Sequence, residues 1–149
     1  DIYPAKLKEL KKRAKRDGAF NIETRLISSS KVIKRLSNTA DRVLIDAPCT
    51  GLGVLRRNPD AKWKLQPDFV AEVCQTQQEL LTSYSRMLKP GGQMVYATCS
   101  ILPLENEQQV SAFLKSEPGK DFQLLEERHV LPSREGFDGF YMARLKRRD

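Results

Sequence analysis

The chain alternates compact apolar runs with longer segments in which apolar residues recur every three or four positions. Arg42–Asp46 and Gln93–Thr98 are compact apolar runs, and each is followed at once by a polar loop, Ala47–Gly51 and Cys99–Ser100. Runs of this length and composition are typical of buried strands in a parallel sheet. We therefore expect two parallel strands, each with a polar loop at its C-terminal end.

Four further segments have the apolar spacing of amphipathic helices. They are Ala5–Arg16, Lys31–Leu36, Asp68–Leu88 and Glu105–Leu114. We expect Gly18 to end the first helix, Ser28–Ser30 to cap the second and Pro90–Gly92 to end the third.

Three additional strands are expected at Ile22–Ile27, Phe122–Leu125 and Phe140–Leu145, the last two as a closing antiparallel unit. Strands that alternate with helices indicate an α/β fold with a mostly parallel sheet. Ligands of such sheets bind at the carboxyl ends of the strands. The two polar loops are therefore the first place to look for function.

Composition is that of one globular domain of 149 residues, with a formal net charge of +7. A basic surplus of this size suits a polyanionic partner such as nucleic acid, although a merely solvated basic surface is the alternative. No apolar run approaches the ~18 residues of a membrane span, and no secretory signal layout is present at the N-terminus. Membrane partners are therefore not expected.

Three cysteines are present, Cys49, Cys74 and Cys99, without CxxC spacing. This usage argues against a disulfide framework and against a metal site, and it fits a reducing cytoplasm. Cys49 and Cys99 each follow a predicted parallel strand, so we expect them to face a common pocket. The alternative is that each is a small buried apolar residue, as we expect for Cys74 within its helix.

Several charged residues surround these two loops. Asp46 ends an apolar strand, where an unpaired carboxylate would be costly, so it has either a functional task or a capping role for the loop amides. A catalytic cysteine acts as the thiolate, which a nearby positive charge favours. The cations that follow Cys49 are Arg56, Arg57, Lys62 and Lys64.

The loops Asp46–Gly51 and Ala97–Ser100 resemble those of the Fmu/Sun (NSUN-type) family of RNA cytosine-5 methyltransferases, which carry Asp-Ala-Pro-Cys and Thr-Cys-Ser in this order. The resemblance covers nearly the whole chain from Asp41 onward. It extends to Arg56–Asp60 with Lys62 and Trp63, Leu88–Gly92, Glu105–Glu107 and Asp138–Phe140. It implies a Rossmann-like, S-adenosylmethionine-dependent methyltransferase fold.

The resemblance also implies roles for individual residues. Cys99 would be the nucleophile that adds to carbon 6 of cytosine, which activates carbon 5 for methylation. Cys49 would assist release of the product, Asp46 would contact the base near ring nitrogen 3, and Pro48 would shape the loop. The target base must leave its stack, which favours loops or opened regions of ribosomal or transfer RNA. Contacts to this RNA are expected from Arg56, Arg57 and Lys62.

Cofactor binding departs from the family pattern. Asp1 lies where the family has the acid that binds the ribose hydroxyls, and Ser29 stands where many members place an acid near the adenine; Asp46 and Pro48 complete the expected cofactor contacts. No Gly-x-Gly loop precedes Asp46, and Gly18 is the first glycine. We expect residues 1–149 to be a partial catalytic domain that lacks N-terminal strands, binds the cofactor poorly alone and exposes a sheet edge.

Two other functions are compatible with the sequence. DNA cytosine-5 methyltransferases use the Pro-Cys of the earlier loop as nucleophile, here Cys49, which would leave the loop around Cys99 unexplained. A basic RNA-binding module that retains the methyltransferase scaffold without turnover is the non-enzymatic alternative. Neither the oligomeric state nor the modified cytosine follows from the sequence.

Overall fold

A computed structural model describes the backbone of residues 1–149 and every side chain but that of Lys64. The chain divides into two compact units, Asp1–Arg35 and Leu36–Asp149. Within the described part, no helix is both long and apolar enough to cross a membrane.

The N-terminal unit contains two helices, α1 (Pro4–Arg16) and α2 (Ser30–Lys34). The chain turns after α1 at Gly18, whose φ of 70° is the left-handed conformation expected of a helix terminator. The strand expected at Ile22–Ile27 was wrong: this segment has no regular secondary structure. A strand needs a neighbouring strand to complete its backbone ladder. Here the segment instead meets the first residue, where Ile27 N donates to Asp1 O at 2.9 Å and Asp1 N donates to Arg25 O at 3.3 Å.

The C-terminal unit contains the sheet and the remaining helices. Its strands are β1 (Ala40–Asp46), β2 (Leu88–Thr98), β3 (Phe122–Val130) and β4 (Phe140–Arg147). Its helices are α3 (Ala61–Lys64), α4 (Pro67–Tyr84), α5 (Glu107–Lys115) and α6 (Pro132–Glu135). Short 3₁₀ turns connect several of these elements.

The described strands form one sheet of order β1-β2-β4-β3. β1 and β2 are parallel, with Asp46 opposite Ala97 at their carboxyl ends. β4 is antiparallel to both of its neighbours, so it closes the sheet as expected. The parallel pair is the part of the sheet that positions the two cysteine loops.

The end of α4 differs from expectation. The predicted helix to Leu88 was too long, since α4 ends at Tyr84 and a 3₁₀ turn over Ser85–Met87 leads directly into β2. Leu88 pairs with Ala40 of β1, and the register then shifts before Gln93. Pro90–Gly92 therefore forms an irregularity inside the strand, with Gly91 at a φ of 74°, and does not terminate the helix.

One apolar core joins the sheet to α4 and α5 through Leu81, Val110 and Phe113. In β1, Val43 and Ile45 are buried, whereas Leu44 between them is 70% exposed. The expectation that this strand is buried on both faces was wrong. Alternate side chains of a strand point to opposite faces of the sheet, so Leu44 points away from the face that Val43 and Ile45 bury.

Candidate active site

The two cysteines expected to converge lie side by side. Cys49 follows β1 and Cys99 follows β2, and their Sγ atoms are 3.2 Å apart, within hydrogen-bond distance for sulfur. Both side chains are partly buried. This differs from the alternative considered from the sequence, in which each cysteine is a small, fully buried apolar residue. Because parallel strands end at the same edge of the sheet, two loops distant in sequence meet there.

The thiol pair is electrostatically asymmetric. The hydrogen bond from Cys49 lowers the pKa of Cys99 to about 7, and the backbone amide of Cys99 adds to the effect, while burial and the carboxylates of Asp46 and Glu105 oppose it. The same hydrogen bond raises the pKa of Cys49 well above its ordinary value, and burial raises it further. Of the two thiols, Cys99 is therefore the one that ionises more readily.

Arg56, Arg57 and Lys62 do not produce this shift, contrary to the expectation from sequence, and the side chain of Lys64 lies outside the described part of the chain. Arg56 donates to Gly136 O at 3.0 Å, and Arg57 forms an ion pair with Asp138. Lys62 lies over the ring of Trp63, 4.7 Å from its centroid. The sequence led us to expect that a positive charge stabilises the thiolate, but the largest contribution comes from the neighbouring thiol of Cys49.

Asp46 is exposed at the carboxyl end of β1. The expected cost of burying its carboxylate does not arise, because Asp46 lies on the same face of β1 as the exposed Leu44. Among the described residues, neither a hydrogen bond nor an ion pair satisfies this carboxylate, so the capping role considered from the sequence is not observed. Its oxygens are available to a ligand that donates hydrogen bonds.

Two glycines bring the second cysteine loop close to neighbouring backbone. Gly53 N donates to Cys99 O at 2.9 Å, and Gly139 N donates to Gly53 O at 2.7 Å. A Cβ atom on Gly53 would lie 2.2 Å from Gly139 O and 2.7 Å from Cys99 O. Only glycine permits this approach.

A buried acid that sequence reasoning did not assign to the site lies behind both loops. Glu105 is completely buried and accepts hydrogen bonds from Thr50, Ser100 and Gln77. The sequence offered Glu105 only as part of the Glu-Asn-Glu block. Its burial depends on how α4 and the two loops pack together, which no local pattern reveals.

The expected cofactor contacts belong to different units of the chain. In the N-terminal unit, Asp1 Oδ1 accepts a hydrogen bond from Tyr3 N at 2.8 Å, and Ser29 precedes α2 with its hydroxyl unused as a cap. In the C-terminal unit, Pro48 is exposed and its carbonyl accepts from Gln77 Nε2 at 2.9 Å, beside the unpaired Asp46. Exposed carboxylate and hydroxyl oxygens can accept hydrogen bonds from hydroxyl and ammonium groups of a ligand.

Comparison with known proteins gives a family match over residues 1–146, to the family described as 16S rRNA methyltransferase RsmB/F. The ribosomal RNA small subunit methyltransferase B of Vibrio cholerae serotype O1 is 47% identical over 113 residues, covering 72% of this chain and 26% of that protein. Its counterpart in Klebsiella pneumoniae strain 342 is 48% identical over 113 residues, with the same coverage. The chain thus spans about a quarter of the length of these curated relatives.

Solved structures show the same architecture. The crystal structure of PH0851 superposes with a TM-score of 0.92 at 34% identity, covering 99% of this chain and 36% of that one. NSun6 from Pyrococcus horikoshii, solved with SFG, gives a TM-score of 0.86 at 24% identity, covering 100% of this chain and 40% of that one. The fold is therefore that of the Rossmann-like methyltransferases, as the cysteine loops indicated.

Proposed function

Since the chain belongs to the RsmB/F family of 16S rRNA methyltransferases, we propose that it carries the catalytic centre of an S-adenosylmethionine-dependent enzyme that methylates carbon 5 of a cytosine in small-subunit ribosomal RNA. The observation that carries the proposal is the pair of sulfur atoms 3.2 Å apart at the ends of β1 and β2. A covalent mechanism at cytosine needs one nucleophilic sulfur and a means of releasing it, and the pair supplies both.

Cys99 begins the reaction as the thiolate. Its sulfur adds to carbon 6 of the flipped cytosine, and the electron pair of the 5,6 double bond moves toward carbon 5 and the ring. The pKa of about 7 supports this role, because a large fraction of Cys99 is ionised at neutral pH. Asp46, exposed and unpaired beside the loop, is suited to hydrogen-bond the base near ring nitrogen 3.

S-adenosylmethionine, when bound, supplies an electrophilic methyl group for the activated carbon 5. In the C-terminal unit, the residues that would hold it are Asp46 and Pro48 at the end of β1. Their exposed oxygens offer acceptors for hydroxyl and amino groups.

Product release is assigned to the cysteine pair. The carbon 5 proton leaves to a base, its electron pair re-forms the 5,6 double bond, and the carbon–sulfur bond breaks with its electrons returning to Cys99. The hydrogen bond from Cys49 stabilises the departing thiolate, the same interaction that lowers the pKa of Cys99 in the resting protein. This supports a release role for Cys49.

The RNA partner is supported by charge and by family. The formal net charge is +7, and Arg56, Arg57 and Lys62 are exposed close in sequence to the first cysteine loop. Arg56 is oriented by Gly136 O at 3.0 Å, so its guanidinium group is held in place, whereas the ion pair with Asp138 offsets part of the charge of Arg57. A preorganised cation such as Arg56 suits contacts with phosphate groups.

The decisive test uses protein expressed from the complete reading frame, small-subunit ribosomal RNA and S-adenosylmethionine. Wild type, Cys49→Ala and Cys99→Ala are compared on a denaturing gel for covalent protein–RNA adducts, with Cys74→Ala as the matched control. We expect Cys49→Ala to accumulate adduct and Cys99→Ala to form none. Cys74→Ala should behave as wild type, because its sulfur contacts Leu104 O, not the pair.

Other outcomes favour the alternative functions. Adduct in Cys99→Ala and none in Cys49→Ala would mean that the enzyme uses the DNA-type nucleophile. No adduct and no methyl transfer in any form would favour a binding module that retains the scaffold without turnover. Methyl transfer to transfer RNA but not to ribosomal RNA would retain the chemistry and change the substrate.

A further inference from the structure

The proposed mechanism leaves one buried charged side chain without a role. Glu105 is 0% exposed and lies at the end of the 3₁₀ turn Pro103–Glu105, just before α5. A buried carboxylate is costly unless hydrogen bonds replace its hydration. Its partners therefore indicate what the group stabilises.

Described residues donate four hydrogen bonds to this carboxylate. Thr50 donates through its backbone N to Oε2 at 2.8 Å and through Oγ1 to Oε1 at 2.6 Å. The Ser100 hydroxyl donates to Oε1, and Gln77 Nε2 donates to Oε2 at 3.1 Å. An ionised carboxylate only accepts hydrogen bonds, so two oxygens and four donors form a matched set.

The donors lie directly beside the cysteines. Thr50 follows Cys49, and Ser100 follows Cys99. The two hydroxyl oxygens are 3.3 Å apart and share one carboxylate oxygen. Gln77 of α4 extends the connection, since the same Nε2 also donates to Pro48 O at 2.9 Å. One carboxylate thus connects both cysteine loops to the long helix.

From this arrangement we propose that Glu105 is a positioning residue for the cysteine pair: its carboxylate holds Thr50 and Ser100 so that the two sulfur atoms stay within hydrogen-bond distance. This inference rests on the proposed function for its catalytic meaning. The positioning itself concerns only the two loops. It can therefore be measured without RNA or cofactor.

Two physical effects of Glu105 on Cys99 have opposite signs. Its negative charge raises the pKa of Cys99, whereas the hydrogen bond from Cys49, which the carboxylate holds in place, lowers that pKa by more. Removing the charge without disturbing the loops would lower the pKa of Cys99. Losing the alignment of the thiols would raise the pKa of Cys99 toward its ordinary value.

The test is Glu105→Gln in protein expressed from the complete reading frame. This change keeps the shape of the side chain but removes the charge and places an NH₂ group among donors. The measurement is the pH dependence of iodoacetamide labelling at Cys99, followed by mass spectrometry of its peptide. We expect the apparent pKa to rise from about 7 toward about 8.5 and the labelling rate at neutral pH to fall about tenfold.

Glu107→Gln is the matched control, since this acid belongs to the same Glu-Asn-Glu block but has its Oε2 3.8 Å from His129 Nε2. We expect no change in the labelling profile of Cys99 in this variant. If Glu105→Gln lowers the melting temperature yet leaves the profile unchanged, the role is purely structural and the proposal is wrong. A fall in the pKa of Cys99 would equally overturn the proposal, because Glu105 would then affect Cys99 only through its negative charge.

Thr50→Val and Ser100→Ala test whether Glu105 acts on the cysteine pair through these two hydroxyl groups. They also provide a test if Glu105→Gln fails to fold. Each removes one hydroxyl donor and should raise the pKa of Cys99 in the same direction. In the Thr50→Val/Ser100→Ala background, Glu105→Gln should add much less than it does in wild type. Full additivity would contradict positioning through these hydroxyls. If Glu105→Gln shifts the labelling profile of Cys99 as expected but wild type transfers no methyl group to RNA, only the proposed function is rejected.

Discussion

Among single residues, the contact between the thiols of Cys49 and Cys99 has the largest effect on acidity. Cys99 has its pKa lowered to about 7 because Cys49 donates a hydrogen bond to its thiolate. Cys49 has its pKa raised by the same bond, so it remains protonated. Two identical side chains thus differ in acidity because of one contact.

A pH profile follows from this difference. Because the thiolate is the reactive form, we expect the single-turnover rate of adduct formation to rise about tenfold per pH unit below about 7 and to level off above it. In Cys49→Ala the stabilising hydrogen bond is lost, so the rising part of the profile should move to higher pH. Cys74→Ala should leave the profile in place. An unshifted profile in Cys49→Ala would contradict the assigned cause of the lowered pKa.

At the scale of elements, the position of the second cysteine loop depends on a close approach between two backbone segments. The 3₁₀ turn Leu52–Val54 places Gly53 against Gly139, ahead of β4, and against the carbonyl of Cys99. Neither contact leaves space for a side chain. The loop that carries Cys99 therefore has two separate contacts, one from Gly53 to the carbonyl of Cys99 and one from Ser100 to Glu105.

Substitution of Gly53 tests this arrangement. In Gly53→Ala the new Cβ would meet backbone atoms that cannot rotate away, so we expect a loss of about 2 kcal/mol or more in the free energy of unfolding, measured by urea denaturation. Cys99 labelling should also change, because its carbonyl must move. Gly18→Ala is the control: its Cβ has open space, and only its left-handed φ costs about 1 kcal/mol. Equal losses in the two variants would contradict the close-approach explanation.

For the molecule as a whole, net charge and the open sheet edge are the dominant features. The charge of +7 supports binding to a polyanion, and β1 ends the sheet with Leu44 largely exposed. β1 is thus an end strand of the described sheet. Because the chain spans about a quarter of its curated relatives, we propose that other parts of the complete enzyme contribute to cofactor binding.

The salt dependence of RNA binding tests the electrostatic contribution. A lysine that neutralises a phosphate releases counterions, so Lys62→Ala should reduce the slope of log affinity against log salt by about 1. Lys89→Ala is the control, since Lys89 is already paired with Asp41 at 2.8 Å and is expected to contribute little. Fluorescence anisotropy with a labelled RNA at several salt concentrations gives both slopes. Equal slopes in wild type and Lys62→Ala would exclude this lysine as a phosphate contact.

Prediction from sequence succeeded where local pattern dominates. The parallel pair β1 and β2, the helices α1 and α5 and the closing antiparallel strands were confirmed within a few residues. It failed at Ile22–Ile27, which has strand-like composition without a pairing neighbour, and at the end of α4. There the chain beyond Tyr84 has helical spacing, but Leu88 pairs with β1.

The sequence by itself determined the family, the convergence of Cys49 and Cys99 and the basic character of the chain, because motif order, strand ends and charge are local properties of the polypeptide. Only the tertiary structure decided that the thiol of Cys49 makes the largest contribution to the lowered pKa of Cys99. It also decided that Asp46 is exposed and that Glu105 connects the two loops. Burial and hydrogen-bond partners arise from contacts between residues distant along the chain, which local spacing does not encode.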